Sequence, residues 1–227
     1  MTTLRYLGHS SFLVETGGKK LLFDPFISGN PLAAGIDIDQ IDADYILLTH
    51  GHGDHVADAE SIAIRTKATI ISSYEVVTWY ENKGLTGHPM NIGGKWKFDF
   101  GTVKYVHAVH SSMLPDGSYG GPAGGFVIWN ESVCFYHAGD TALTLDMKLL
   151  PAICPALNFA ILPVGDNFTM GYQDAALAAD YIQCDTIIGC HFDTFGYIKA
   201  DHEAAETEFR NAGKKLILPT VDQQIQL

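Results

Sequence analysis

The amino-acid sequence predicts an α/β fold in which two β-sheets pack face to face and helices cover both outer surfaces, a four-layer αββα sandwich. Two observations lead to this prediction. Short β-prone segments occur in both halves of the chain, and apolar segments with helical spacing follow them. The 227 residues also show no short repeat, low-complexity tract or evident linker, so we expect a single domain over residues 1–227.

The chain begins with three short β-prone segments, at residues 4–7, 11–16 and 19–23. Gly8 separates the first two and Gly17-Gly18 separates the last two, which predicts an antiparallel meander with a glycine hairpin. A segment rich in Gly, Pro and Asn follows at residues 26–42. We expect it to form a loop at the rim of a binding pocket.

The remaining elements alternate between strands and helices. A capping box, Ser72-x-x-Glu75, predicts the start of one helix, which should end near Gly84. The other predicted helices cover residues 57–67, 145–153, 173–183 and 201–212. The predicted strands cover residues 68–72, 95–98, 103–107, 125–129, 133–137, 159–164, 186–190 and 216–218.

Three histidines and an aspartate lie within the run 49–55, directly after an apolar stretch. Residues two positions apart on a chain that leaves a strand point to the same side. His50 and His52 can therefore bind one metal ion, while Asp54 and His55, past the turn, reach a second. Histidines and carboxylates are the usual ligands for zinc and similar metals, so the run indicates a metal site.

Three further polar residues, His110, Asp140 and His191, stand at the ends of apolar strand segments. Together with the run 49–55 they make a ligand set that a two-metal site requires. One ion would be bound by His50, His52 and His110, the other by Asp54, His55 and His191, with Asp140 and a hydroxide as bridges. Two ions about 3.5 to 4 Å apart can lower the pKa of a shared water toward neutrality and neutralise the oxyanion that forms on attack.

With these residues the chain resembles the metallo-β-lactamase superfamily. The resemblance rests on THGHGDH at 49–55, on His110, on HAGDT around Asp140 and on CHFD around His191, and it covers almost all of the sequence. LGHSSFLVE, LLFDPF and PVGDNFTMG are similar to the small, single-domain metal-dependent hydrolases close to the ascorbate-6-phosphate lactonases. The resemblance implies an αββα sandwich, two divalent ions (zinc first, otherwise manganese or nickel) and hydrolysis of an ester, lactone, amide or phosphodiester bond.

Several residues receive expected roles around the metals. Asp54 would orient the hydroxide and pass its proton on, and His9 would contact substrate or donate a proton, unless it only makes a structural hydrogen bond. Asp24 would accept the second N–H of a ligand histidine. The pocket would be lined by Asp166, Asn167 and Asp193, although the first two could equally form only a turn.

Composition excludes several classes of protein. The net charge is −12 and Lys and Arg are scattered singly, which argues against a nucleic-acid partner. The first residues lack a signal-peptide pattern and no apolar run approaches membrane length, so we expect a cytoplasmic protein with no membrane partner. The four cysteines are widely spaced and form no C-x-x-C pair. An aromatic content of 11% is compatible with a homo-oligomer.

These observations lead to one main hypothesis and two alternatives. The main one is a metal-dependent hydrolase in which a metal-bridging hydroxide cleaves an ester or lactone bond of a small molecule. The first alternative is a phosphodiesterase that acts on a small nucleotide or a phospholipid headgroup. The second is a metal-binding or sensing protein that has kept the ligands but lost turnover.

Overall fold

The computed structural model describes residues 2–227, and its centre consists of two mixed sheets of seven strands each. The first sheet has the strand order β14-β1-β2-β3-β4-β5-β6. Its strands are β1 (Thr3–Gly8), β2 (Ser11–Thr16), β3 (Lys19–Phe23), β4 (Tyr45–Leu47), β5 (Thr69–Ser73), β6 (Gly87–Met90) and β14 (Gln224–Gln226).

The second sheet has the order β13-β12-β11-β10-β9-β8-β7. Its strands are β7 (Lys95–Phe98), β8 (Gly101–His107), β9 (Gly124–Trp129), β10 (Cys134–His137), β11 (Phe159–Pro163), β12 (Thr186–Cys190) and β13 (Lys215–Ile217).

Helices cover the outer face of each sheet and complete the predicted four layers. The first sheet is covered by α1 (Gly53–Val56), α2 (Ala59–Thr66) and α3 (Tyr74–Glu81), the second by α4 (Leu150–Ile153), α5 (Tyr172–Tyr181) and α6 (His202–Asn211). Short 3-10 helices lie at Pro31–Ala33, Ile38–Gln40, Leu145–Leu149 and Gly196–Ile198. Within residues 2–227, no helix has the length and apolar character needed to cross a bilayer.

Both faces of each sheet are buried, which explains why several strands are apolar runs without alternation. In β2, Phe12 and Val14 face the core between the sheets, while Leu13 faces the helices of the first outer layer. Aromatic rings fill the core between the sheets, where Phe135 and Phe159 stack with ring centroids 4.9 Å apart. Burying a side chain of this size contributes about 1.5 to 3 kcal/mol to folding.

Strand direction gathers many chain turns at one edge of the molecule. Strands β3 to β6 run parallel, and so do β10 to β13, so their carboxyl ends lie at the same edge of each sheet. Strands β1, β2 and β3 form the predicted antiparallel meander. Because β2 runs opposite to β3, the turn between β1 and β2 also lies at this edge. Strand β8 ends there as well, because β8 and β9, and then β9 and β10, are antiparallel.

Some local predictions were wrong. Helix α3 begins after Ser73, whose hydroxyl accepts a hydrogen bond from the N–H of Val76, whereas Ser72 is buried in β5 and donates to the Leu48 carbonyl. The segment 145–153 is a 3-10 helix followed by one α-helical turn, not a continuous helix. Strands β6 and β14 were not predicted.

Candidate metal centre

The seven predicted metal ligands come together where the carboxyl edges of the two sheets meet. The run 49–55 follows β4, His110 follows β8, Asp140 follows β10 and His191 follows β12. They form three groups, one of which also includes His9, and within each group the ligand atoms lie within 4.8 Å of one another. The groups are His50, His52 and His110, then His9, Asp54, His55 and His191, and finally His50, His55 and Asp140.

Asp140 lies between the first two groups. Its Oδ2 atom is 3.0 Å from His191 Nε2 and 3.3 Å from His55 Nε2, which belong to one group, and 3.6 Å from His110 Nε2, which belongs to the other. One carboxylate oxygen is therefore close to histidines from both groups.

The donor set fits divalent cations. Three buried atoms, His55 Nε2, Asp140 Oδ1 and His191 Nδ1, have no hydrogen-bond partner among the described residues. A buried polar atom without a partner costs about 1 to 3 kcal/mol. All three belong to residues of the groups above. Coordination to an ion would remove this cost for an atom that binds it, and imidazole with carboxylate is the ligand chemistry of zinc, manganese and nickel.

Burial and the carboxylates determine the ionisation of the cluster. Burial lowers the pKa of His50 well below its usual value, and the charge of His55 lowers it further. Burial opposes the ionisation of Asp140, but the charges of His55 and His191 outweigh it and hold the pKa of this carboxyl well below its usual range. Burial likewise opposes charge on His55, yet Asp140 and Asp24 raise its pKa well above the usual value. A bound cation would replace the proton that these carboxylates hold on His55.

Asp24, at the end of β3, orients histidines of both groups. Its Oδ2 accepts a hydrogen bond of 2.8 Å from His55 Nδ1 and one of 2.7 Å from the Thr49 hydroxyl, while the Thr49 N–H donates to Oδ1. Because the Thr49 hydrogen points to Asp24, its oxygen accepts from His50 Nδ1, 3.0 Å away. Both Nδ1 atoms are used in these hydrogen bonds, which leaves Nε2 as the metal-binding atom of each ring. His50 Nε2 lies 2.9 Å from Nδ1 of His52, another predicted ligand. Such a contact was expected for Asp24, whereas Thr49, which adjoins the first histidine of the motif, had no expected role.

His9 is fully buried and connects Asp54 to a loop beyond His191. Its Nε2 lies 3.3 Å from Asp54 Oδ2, and its Nδ1 lies 3.0 Å from the hydroxyl of Thr194. An ionised carboxylate can only accept, so Nε2 carries the hydrogen and Nδ1 accepts from Thr194. Burial lowers the pKa of His9 to about 4, although the hydrogen bond to Asp54 acts in the opposite direction. The ring is therefore neutral near pH 7. Thr194 was missed because no local pattern marks it.

The backbone at the site is held in unusual conformations. His9, Asp24 and His191 have φ values of 55°, 40° and 54°, in the left-handed region that non-glycine residues seldom adopt. Gly139, directly before Asp140, has φ 65°, and a Cβ atom there would lie 2.8 Å from the Cβ of Thr49. The surrounding structure therefore fixes these positions closely.

The other predicted pocket residues make contacts away from the cluster. Asp166 and Asn167 are exposed and form a turn, in which Asp166 Oδ1 accepts from the Asn167 N–H at 2.7 Å. Asp193 pairs with His202 at 2.7 Å and accepts the Ala200 N–H at 3.0 Å, so it fastens the loop after His191.

Ser112 is a further residue that sequence reasoning did not single out. Its hydroxyl accepts the Gly51 N–H at 3.1 Å and donates to the Gly120 carbonyl at 2.9 Å. The long loop between β8 and β9 is thus fastened to the histidine motif, and the hydroxyl of Ser111 comes within 3.4 Å of His52 Nε2.

Comparisons with known proteins show the family of the chain. A family model described as a beta-lactamase superfamily domain matches residues 3–191. The chain is 56% identical over 224 residues to a UPF0173 metal-dependent hydrolase of Flavobacterium johnsoniae, with 99% of each protein covered. A UPF0173 metal-dependent hydrolase of Thermus thermophilus is 42% identical over 214 residues, which cover 94% of this chain and 93% of the relative.

Among solved structures, Igni18, a metallo hydrolase from the archaeon Ignicoccus hospitalis, superposes with a TM-score of 0.89 at 31% identity. The superposition covers 99% of this chain and 98% of Igni18. The predicted sandwich fold and the resemblance to the metallo-β-lactamase superfamily are both confirmed. The chain belongs to the UPF0173 family of metal-dependent hydrolases within the metallo-β-lactamase superfamily.

Proposed function

We propose that the site binds two divalent ions, with zinc the first choice, and hydrolyses an ester or lactone bond of a small molecule. The observation that supports this proposal best is the position of Asp140 Oδ2, within 3.6 Å of histidines from both ligand groups. A carboxylate in that position suits a bridge between two cations. His50, His52 and His110 would hold one ion, and Asp54, His55 and His191 the other.

When bound, such ions activate water as a nucleophile near neutral pH and polarise the oxygen of the electrophile. The chain's own residues then supply orientation and proton transfer. Asp54, half-buried beside His9, would orient the attacking water, take its proton and pass it to the leaving group. His9 would hold the Asp54 carboxylate through Nε2–H and is itself held by Thr194. Asp24 and Thr49 would fix the ligand histidines.

Metal analysis and activity of ligand variants test the proposal. We expect wild-type protein to hydrolyse a generic lactone and to lose this activity after chelation. His52→Ala should lose about one bound ion per chain, and Asp140→Ala should lose more because it would serve both ions. Both variants should be inactive.

His107→Ala is a matched histidine control. His107 lies three residues before His110, but it is exposed and pairs with Asp146 at 2.7 Å. This variant should retain full activity and metal content. Full metal stoichiometry in both His52→Ala and Asp140→Ala would refute the ligand assignment, and hydrolysis of a bis-aryl phosphate but of no lactone would refute the proposed bond type.

A further inference from the structure

The loops around the metal centre share an unusual composition. We define the site rim as the loops at the carboxyl edge of the two sheets that border the cluster. They comprise residues 8–11, 24–36, 49–58, 108–123, 138–145, 165–171 and 191–198. The chain has 14 Lys and Arg residues, all in the described residues 2–227, and none of them lies in the site rim.

The charged side chains of the rim are all aspartates, apart from the histidines. There are seven, namely Asp24, Asp54, Asp58, Asp116, Asp140, Asp166 and Asp193. Even with the two divalent ions of the proposed function, the negative charges outnumber the positive ones, seven against four. Asp116 and Asp166 are exposed, so part of this charge faces solvent.

Phosphate and carboxylate groups of substrates are normally bound by Arg or Lys. The rim offers neither residue, and its field repels anions that approach. The first basic residue after the rim segment 191–198 is Lys199, which is exposed and lies beyond the 3-10 helix Gly196–Ile198. The rim loops therefore present aspartates and no basic residue of their own to an anionic group away from the reacting bond. Lys83, outside the rim, lies over the ring of Trp79, whose Nε1 donates to Asp116.

Apolar side chains occupy the same rim. Phe26 and Phe195 pack edge-on against the ring of His9, with centroids 5.7 and 5.3 Å away, and against each other at 6.2 Å. Phe168 and Tyr197 contact each other at 6.4 Å on adjacent loops, and both are exposed, Tyr197 to 79%.

A second part of the rim, the loop between β8 and β9, also carries apolar side chains. Met113 and Tyr119 face each other across a β-bridge in the loop that Ser112 fastens to Gly51, and both side chains are exposed. Exposed aromatic side chains on loops next to a polar site are typical of a binding surface for apolar or aromatic groups.

We infer that the substrate of this site is an uncharged or cationic small molecule that carries an aromatic or alkyl group next to the hydrolysed bond. An anionic group on the substrate is selected against. This inference rests on the proposed function for the reaction that the substrate undergoes. The preference for neutral or cationic molecules also applies to binding, so it can be tested without hydrolysis.

Three esters with one acyl group and different charge on the leaving group provide the test. The substrates are phenyl butyrate, its meta-sulfonate and its meta-trimethylammonium derivative, chosen because sulfonate is a weak metal ligand. The measured quantity is kcat/KM of the zinc-loaded enzyme at low ionic strength, divided by the alkaline hydrolysis rate of the same ester. We expect the sulfonate to be about tenfold poorer than the neutral ester and the cation to equal or exceed it.

Two variants that add one positive charge separate a local effect from a global one. Tyr197→Lys, in the rim, should reduce the discrimination against the sulfonate several-fold, roughly as expected for one nearby charge. Ile64→Lys introduces the same charge at an exposed residue near the C-terminal end of α2, which leads into the amino end of β5, and it should leave the discrimination unchanged.

Binding of the corresponding anilides, measured by calorimetry on the zinc-loaded protein, repeats the comparison without hydrolysis. Weaker binding of the sulfonated anilide than of the neutral one supports the inference even if none of the esters is hydrolysed. The absence of ester hydrolysis would count against the proposed function alone. Equal or tighter binding of the sulfonated anilide overturns the inference, as does equal or better hydrolysis of the sulfonated ester, whether or not lactones are cleaved.

Discussion

The contact between His9 and Asp54 joins two residues that the sequence analysis placed in catalysis on separate grounds. His9 has a left-handed backbone and no exposed surface, and non-glycine residues adopt this conformation at a cost of roughly 1 to 3 kcal/mol. The hydrogen bonds of its two ring nitrogens to Asp54 and Thr194 help to offset that cost. The side chain is thereby held in one orientation, as the positioning of Asp54 requires.

Replacement of His9 by two different amides tests this role. His9→Gln can place an amide nitrogen near the former Nε2 and keep a donor toward Asp54, whereas His9→Asn is too short to do so. Asparagine tolerates the left-handed backbone better than most residues, so His9→Asn should still fold. We expect kcat to fall by about 10²-fold in His9→Asn and by less in His9→Gln, with little change in KM.

Metal content and thermal stability, measured on both variants, distinguish positioning from ligation or folding. Both should bind as much metal as the wild-type protein, and His107→Asn, a change at an exposed histidine that pairs with Asp146, should leave kcat unchanged. Equal kcat in His9→Asn and in wild type would exclude a role for His9, and loss of an ion would instead identify it as a ligand.

At the level of elements, strands with strong side-chain patterns could be predicted and strands without them could not. The missed strand β6 has the sequence GHPM, and β14 has QIQ. Each forms one edge of the first sheet and depends on backbone pairing with a single neighbour, so few apolar side chains mark it. Pro89 would even argue against a strand at β6, but proline is tolerated at edges.

Two other local errors have specific physical causes. The apolar spacing of residues 145–153 is helical, but Pro151 lacks the N–H that a continuous α-helix would use at this position. Ser72 and Ser73 are both possible caps by sequence, and both pair with β6. Their hydroxyl groups differ, because that of Ser73 accepts from the Val76 N–H and that of Ser72 donates to the Leu48 carbonyl.

The turn between β10 and Asp140 gives a prediction at this scale. Gly139→Ala must place a Cβ at φ 65°, 2.8 Å from the Thr49 Cβ and 2.9 Å from the Gly124 carbonyl oxygen. Gly84→Ala has a similar strain, φ 83°, but meets no atom within 4 Å. We expect Gly84→Ala to cost about 1 kcal/mol of unfolding free energy and Gly139→Ala about 2 to 4 kcal/mol.

The free energy of unfolding of the two variants, measured with denaturant, tests the close approach of Gly139 to Thr49. The backbone strain is common to both variants, so the difference between them reports the steric contact. Gly139→Ala should also bind metal more weakly, since the displaced Thr49 no longer orients His50. Equal losses of stability in the two variants would show that the turn relaxes freely and that its shape does not position Asp140.

For the whole molecule, the gathering of ligands was predictable because parallel strands deliver their carboxyl ends to one edge. The residues His50, Asp140 and His191 illustrate this, as each directly follows or closely follows such a strand. The contact between His9 and Thr194 was not predictable, because it joins residues 185 positions apart across two sheets. Asp193 was predicted to line the pocket, but its actual contacts were not predictable: its backbone is left-handed, φ 62°, and its carboxylate contacts Ala200 and His202.

The same architecture makes metal binding a contribution to global stability. Ligands from both sheets converge on the cluster, so an ion that binds there stabilises the folded chain and not the unfolded one. An ion present at a hundredfold excess over its Kd adds about 2.7 kcal/mol to the free energy of unfolding. For a chain of this size that corresponds to a rise in Tm of roughly 5 to 10 °C for each ion.

We therefore expect chelated protein to melt at a lower temperature and zinc to raise Tm until two ions are bound, counted by native mass spectrometry. His52→Ala should keep the rise in Tm that comes from the ion at Asp54, His55 and His191. It should lose the rise from the other ion, because it removes a ligand from one group only. His107→Ala should follow the wild-type titration. A Tm that is the same with and without zinc would separate metal binding from folding, and saturation of the wild-type protein at one ion would replace the two-ion site with a single one.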